Sequence, residues 1–172
     1  STIDSTFFID LKYATTDNFT KTVLYDTLSN AYLHSVAAHK LAKAHKYLKQ
    51  LHPSYRLLIY DAARPLSVQK KMYKVVQGTG KAAYVANPAN IGMHNYGLAI
   101  DLTICDAEGT ALDMGTPFDF FGKEAAIRDE EGLIRQRRLT RKQVNNRQLL
   151  RKVMTHAGFR AILGEWWHFN AV

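Results

Sequence analysis

The chain carries one cysteine, Cys105, and only four prolines. A lone thiol cannot close an internal disulfide, so a disulfide-stapled scaffold is excluded. Cys105 follows an apolar stretch and reads as a small core residue rather than a nucleophile. Long hydrophobic runs are missing too: none approaches the roughly 20 apolar residues of a membrane-spanning helix. No basic segment followed by an apolar one marks a secretion signal. The chain opens on Ser1 rather than Met. That fits a removed leader and tilts the expected compartment slightly toward the cell envelope over the cytoplasm. There is no internal repeat, low-complexity tract or Pro/Gly/Ser-rich linker. The 172 residues therefore read as one domain, 1–172, long enough to bury a real core.

Negative charge is also in short supply. Fifteen Asp and Glu against 23 Lys and Arg leave a net charge of +8. Much of the excess lies between Arg135 and Lys152. Such a run fits either an anionic partner or the solvated face of a helix and the loop before it. No aromatic residues interleave with these charges and no nucleic-acid motif accompanies them. The solvated face is the expectation, with no nucleic-acid partner.

Periodicity supplies the elements. Leu33, Val36, Leu41, Ala44, Leu48 and Leu51 recur near 3.6 residues, which predicts a helix over 28–51, with Pro53 beyond its end. His34, His39, His45 and His52 lie in or beside it without sharing a ligand face, and read as surface or helix-end histidines. Tyr55 to Tyr60 reads as a buried strand. Ser67 is the expected cap of a helix reaching about Gln77. Gly78 to Met93, with its glycines and Pro88, reads as mostly loop. Leu98 to Ile104 is a second strand, Asp106 to Thr110 a hairpin turn, and Ala111 to Met114 a returning strand. Thr140 and Gln143 form a capping box opening a helix to Ala157, stopped by Gly158. Glu165 to Phe169 closes as an aromatic strand. Strands and helices do not alternate strictly, so the fold class is α+β: a small, largely antiparallel sheet with flanking helices.

Three clusters carry chemistry. The run Gly92-Met-His-Asn-Tyr-Gly-Leu-Ala-Ile-Asp holds His94 and Asp101. A carboxylate in an apolar strand is costly to bury unless it pairs or binds metal, so Asp101 stands between a metal ligand and an ordinary salt bridge. In Glu165-Trp-Trp-His-Phe, the acid and His168 sit among large rings that exclude water. Positions three apart point to opposite faces of a regular strand. If both serve one site, the backbone must bend near Trp166. Two imidazoles, one carboxylate and a spare glutamate suit catalytic zinc, which takes three protein ligands and keeps a position for water. Zinc brings that water's pKa to about 7, and Glu165 can then move its proton. The third cluster, Asp61-Ala-Ala-Arg64-Pro65, offers a fixed cation for an oxyanion or a simple Asp61–Arg64 ion pair.

These clusters, with Asp10-Leu-Lys-Tyr-Ala-Thr-Thr-Asp-Asn-Phe, Tyr60-Asp-Ala-Ala-Arg-Pro-Leu-Ser-Val-Gln and Asp113-Met-Gly-Thr-Pro-Phe-Asp-Phe-Phe, run in order almost end to end. In this the chain resembles the D-alanyl-D-alanine dipeptidases, the VanX-like zinc metallopeptidases of the D-Ala-D-Ala metallopeptidase superfamily. The resemblance implies a Hedgehog/D,D-peptidase-like fold. It implies one zinc ion on His94, Asp101 and His168, Glu165 as general base and acid, and Arg64 as transition-state stabiliser in place of the plain ion pair. It implies further that Asp119 lies near the substrate's amino group and that Tyr13 lines the same pocket. Gly92 stands where relatives often carry a small hydroxyl residue, and Tyr96 where some carry arginine. The stretch between the arginine motif and His94 is short. These departures bear on substrate preference and pocket width. The expected activity is zinc-dependent hydrolysis of the D-Ala-D-Ala dipeptide. The alternatives are a D,D-carboxypeptidase acting on peptidoglycan stems and a non-catalytic zinc module.

Overall fold

A computed structural model of the chain describes residues 6–82 and 85–172. One five-stranded sheet organises it, in the order β1-β2-β3-β5-β4. Its strands are β1 (Phe8–Ile9), β2 (Arg56–Asp61), β3 (Ala99–Cys105), β4 (Arg160–Ala161) and β5 (His168–Asn170). The β2–β3, β3–β5 and β4–β5 pairings are antiparallel. β1 lies parallel to β2, so the sheet is mixed, as expected for an α+β fold. All seven residues of the central strand β3 are buried. Alternation along it puts Asp101 and Thr103 on one face and Ile100, Leu102 and Ile104 on the other.

The helices are α1 (Ser35–Leu51), α2 (Leu66–Val76), α3 (Glu130–Arg135) and α4 (Arg141–His156). α1 and α4 pack on each other and on the sheet. Leu41, Ala44 and Leu48 of α1 join Leu57, Ile59, Ile100, Leu102 and Ile104, with Leu150, Val153 and Met154 of α4, in the main core. A second cluster gathers Val68, Met72 and Val76 of α2 with Leu11, Tyr13, Leu24 and Tyr25. No described helix is long and apolar enough to cross a membrane.

Several expectations need correction. The first helix starts at Ser35, not at residue 28, capped by the His34 ring, which accepts from the Val36 N–H. The preceding strap spends its backbone hydrogen bonds sideways. Tyr32 accepts from the Ala63 N–H, and His34 donates to the Gly97 carbonyl, each at 2.9 Å. Its apolar stripe is Ala37, Leu41, Ala44 and Leu48, whereas Val36 and Leu51 are exposed. His45 shares that stripe and is fully buried rather than a surface histidine. Its Nδ1 accepts from the Leu57 N–H, and its Nε2 meets the Thr6 hydroxyl. α2 opens one residue before Ser67, on Pro65 as its cap and with no side-chain cap bond. Proline's fixed φ suits that helix entry.

The returning strand shrinks to one bridge, Cys105 to Ala111, after a turn at Asp106 to Thr110. Between Val76 and Met93 the described residues form no α-helix or strand, and residues 83 and 84 of that expected loop lie outside the description. α4 keeps its capping box and ends ahead of Gly158, whose φ is +91°. The basic run is not wholly a solvated face. Arg147 shares the helical stripe of Val144, Leu150 and Met154 and is fully buried. Its Nε donates to the Met114 carbonyl at 2.6 Å. Arg151 pairs with Glu130 of α3, a helix that sequence spacing does not reveal.

Candidate active site

The site gathers where β2 ends, beside the mid-sheet strands β3 and β5. A bulge between Ile59 and Asp61 slips the register and sets Asp61 opposite Asp101. Beyond it the chain leaves the sheet through Ala62 and Arg64. His94 sits in a tight 3-10 turn, Met93–Tyr96, closed by Gly97 in the left-handed conformation, φ +66°. A side chain at 97 would stand 2.8 Å from the His34 backbone nitrogen, so only glycine lets the strap press against this turn. The two loops brace each other. Arg64 N–H donates to the His94 carbonyl at 3.0 Å, and the Asn95 amide to the Arg64 carbonyl at 2.8 Å.

His168 opens β5 directly opposite Asp101. The bend that the three-residue spacing demands is present: Trp166 and Trp167 form a turn, and the strand begins only at His168. Trp166 N–H donates to Ala125, and the Trp167 carbonyl accepts from Leu102. The turn is thereby tied on both sides.

His94, Asp101 and His168 each offer a ligand atom within 4.8 Å of the others. His94 Nδ1 lies 2.8 Å from the Ala62 carbonyl, and His168 Nε2 lies 2.9 Å from Asn170 Oδ1. Each partner is an acceptor, so those nitrogens carry the protons. The unprotonated His94 Nε2 and His168 Nδ1 then face each other at 3.2 Å, with Asp101 oxygens 3.3 Å and 3.0 Å away. Two lone pairs and a carboxylate converging without a proton between them are a donor set made for a divalent cation. Asn170 is absent from the sequence-derived set. Its signal is the period-2 spacing from His168 in an otherwise aromatic strand.

Charge is tuned around this centre. Burial pushes the Asp101 carboxyl up, but His94 and His168, in the protonated forms they take when no cation is bound, outweigh it and hold it well below the usual range. In that cation-free form burial lowers His168, while its bond to Asp101 and that carboxylate's charge raise it on balance. Glu165 is half-buried, and that burial raises its carboxyl. Arg64 makes the expected Asp61 ion pair, donating from Nε and Nη2 to Oδ2 at 2.9 and 2.6 Å. Its Nη2 also lies 3.6 Å from Asp101. Ion pair and site cation are therefore one group. Asp61 takes a short bond from the Tyr25 hydroxyl as well, and Tyr25 is a member of this network that sequence spacing does not signal.

Asp119 lies in a turn, not at a helix cap, with φ +59°. The Tyr13 hydroxyl donates to its carboxylate at 3.0 Å. Tyr13 is itself buried, and its ring lies over Arg64 with the centroid 5.1 Å from Cζ. A cavity of about 350 Å³ joins Tyr13, Arg64, Asp119 and Glu165 to the three converging donors. It stands at the small end of the roughly 300–1,000 Å³ of ligand clefts.

Burial and the charge of Asp101 push the Asp119 carboxyl up to about 8, against the pull of Tyr13 and Arg64. The unfolded chain releases that proton near 3.8. Between these values the folded state binds more protons, so this group makes stability fall as pH rises. In chelator-treated protein, Asp119→Asn should gain stability over wild type steadily from about pH 4 to about pH 8. Urea midpoints across that range measure it; parallel curves for the two proteins would remove the raised carboxyl.

The class is given by a family comparison: a peptidase, a hydrolase that cuts peptide bonds. Residues 2–172 match the family model described as D-ala-D-ala dipeptidase, and the chain belongs to that family, the M15 peptidases. It is 37% identical over 163 residues to a D-alanyl-D-alanine dipeptidase of Escherichia coli, covering 94% of this chain and 77% of that protein. It is 29% identical to one of Synechocystis, covering 76% of this chain and 65% of the relative. It is 28% identical to one of Enterococcus faecalis, covering 95% and 85%.

Proposed function

We propose that the protein hydrolyses the free D-Ala-D-Ala dipeptide, using one zinc ion held by His94, Asp101 and His168. The observation that carries this is the convergence of His94 Nε2, His168 Nδ1 and Asp101, with each imidazole's other nitrogen already bonded. Zinc, when bound, supplies a Lewis acid for the peptide carbonyl and makes water acidic enough to attack near neutral pH. The substrate choice follows the names of the relatives above.

The protein's own groups do the rest. Glu165 takes the proton of the attacking water as its oxygen bonds to the carbonyl carbon. Arg64, fixed by Asp61, faces the cavity and donates to the carbonyl oxygen as negative charge builds there. When the C–N bond breaks, Glu165 returns the proton to the departing amine, and two alanines result. Asp119, giving up its proton as the cationic substrate enters, pairs as a carboxylate with the substrate's ammonium, and Tyr13 holds that carboxylate in place. Trp167 closes part of the wall and keeps bulk water away.

The test is alanine release from free D-Ala-D-Ala, N-acetyl-D-Ala-D-Ala and L-Ala-L-Ala, with and without a zinc chelator. Chelator-sensitive release from the free D,D-dipeptide alone is the expected result. Release from the acetylated substrate would replace this reading with a carboxypeptidase, because an acylated amine cannot pair with Asp119. No release from any of the three would overturn it.

A further inference from the structure

Arg64 is held at three points, and the third belongs to a residue with no assigned role. Nε and Nη2 both donate to a single atom, Asp61 Oδ2. Two bonds to one acceptor make a pivot, about which the planar guanidinium can swing. The Tyr13 ring restrains its face but leaves in-plane rotation free. Gln69 supplies the stop: its Oε1 accepts from Arg64 Nη1 at 2.8 Å.

Gln69 is 2% exposed. Its Nε2 donates to the Ala86 carbonyl at 2.8 Å. The orientation of this amide is forced, since arginine only donates and a carbonyl only accepts. Its backbone is anchored in the first turn of α2, where its N–H donates to the Pro65 carbonyl at 3.1 Å. Ala86 forms part of the cavity wall with Val85 and Gly92. One side chain thus links the site's fixed cation to the wall that shapes the cavity.

We infer that Gln69 is a positioning residue that sets the direction in which Arg64 faces the reacting carbonyl. The inference rests on the role proposed above for Arg64. It locates the control of that arginine in α2 and the 85–86 wall, outside the donor set. Because Arg64 acts on charge that develops during reaction, misaiming it lowers kcat more than it raises KM.

The test measures kcat and KM on free D-Ala-D-Ala, with metal content and thermal midpoint, for four variants: Gln69→Met, Gln69→Asn, Arg64→Ala and the double Arg64→Ala/Gln69→Met. Each Gln69 single variant is expected to lower kcat by about tenfold or more, through misplacement alone. KM should change by less than about threefold. In the Arg64→Ala background, adding Gln69→Met should change kcat by less than about twofold, because the two residues act as one unit. A drop of the same size in that background overturns the inference, and so does unchanged kcat in both single variants. Normal turnover by Arg64→Ala would bring down the role of Arg64 itself, and the inference with it. An impaired Arg64→Ala beside normal Gln69 variants brings down the inference alone. If Gln69→Met does not fold, Gln69→Asn carries the comparison: its amide is one methylene too short to reach both partners.

Discussion

Glu165→Gln is expected to bind metal as wild type does and to lower kcat on free D-Ala-D-Ala by about 10³-fold, the scale of a lost general base. Glutamine fills the same space but cannot take a proton. The native carboxylate has no hydrogen bond or ion pair from the described residues, so it is free to act on a bound water. Its removal also leaves no partner stranded. Burial raises its carboxyl, and only the ionised form can accept. Turnover within tenfold of wild type, at full metal occupancy, would be incompatible with the proposed base.

Asp101→Asn should act one step earlier, on the metal. Asp101 is the one carboxylate among the converging donors and is 3% exposed. Its loss leaves two imidazoles with the Arg64 cation close by, an environment that repels a divalent ion. Metal affinity should fall by at least about 100-fold, the upper range for changes even one shell further out. Activity should vanish after dialysis and return in part when zinc is added in excess. Metal analysis and activity titration against added zinc measure both effects. A dialysed variant that keeps one metal per chain would sink the assignment of Asp101 as a ligand.

The candidate donors are legible in the sequence because each violates its surroundings. Asp101 interrupts an apolar strand, and His168 and Glu165 stand among tryptophans and phenylalanine. The demand for a bend near Trp166 came from strand geometry alone, and the turn is there. Other features depend on neighbours that no local pattern announces. β1 is two residues long and exists only through parallel pairing with β2. The strap before α1 looks helical by periodicity, yet its backbone is engaged by Ala63 and Gly97. His45 and Arg147 are polar residues on apolar stripes, and both are buried because a partner waits there: the Leu57 N–H for one, the Met114 carbonyl for the other. Gln69 belongs to the same class, since its importance lies in two atoms brought from elsewhere in the chain.

The pairing of His168 with Asp101 has a consequence for biosynthesis. Residues separated by 67 positions meet at a strand register, and Glu165 lies just ahead of the same strand. A growing chain that has reached residue 160 already contains Arg64, His94, Asp101 and Asp119, but it lacks both the proposed proton acceptor, Glu165, and the third proposed donor, His168. Under the proposed mechanism, hydrolysis can begin only after β5 has docked beside β3. If Glu165 and His168 play those parts, the order of synthesis acts as a safety catch that leaves the incomplete protein inert until the sheet closes.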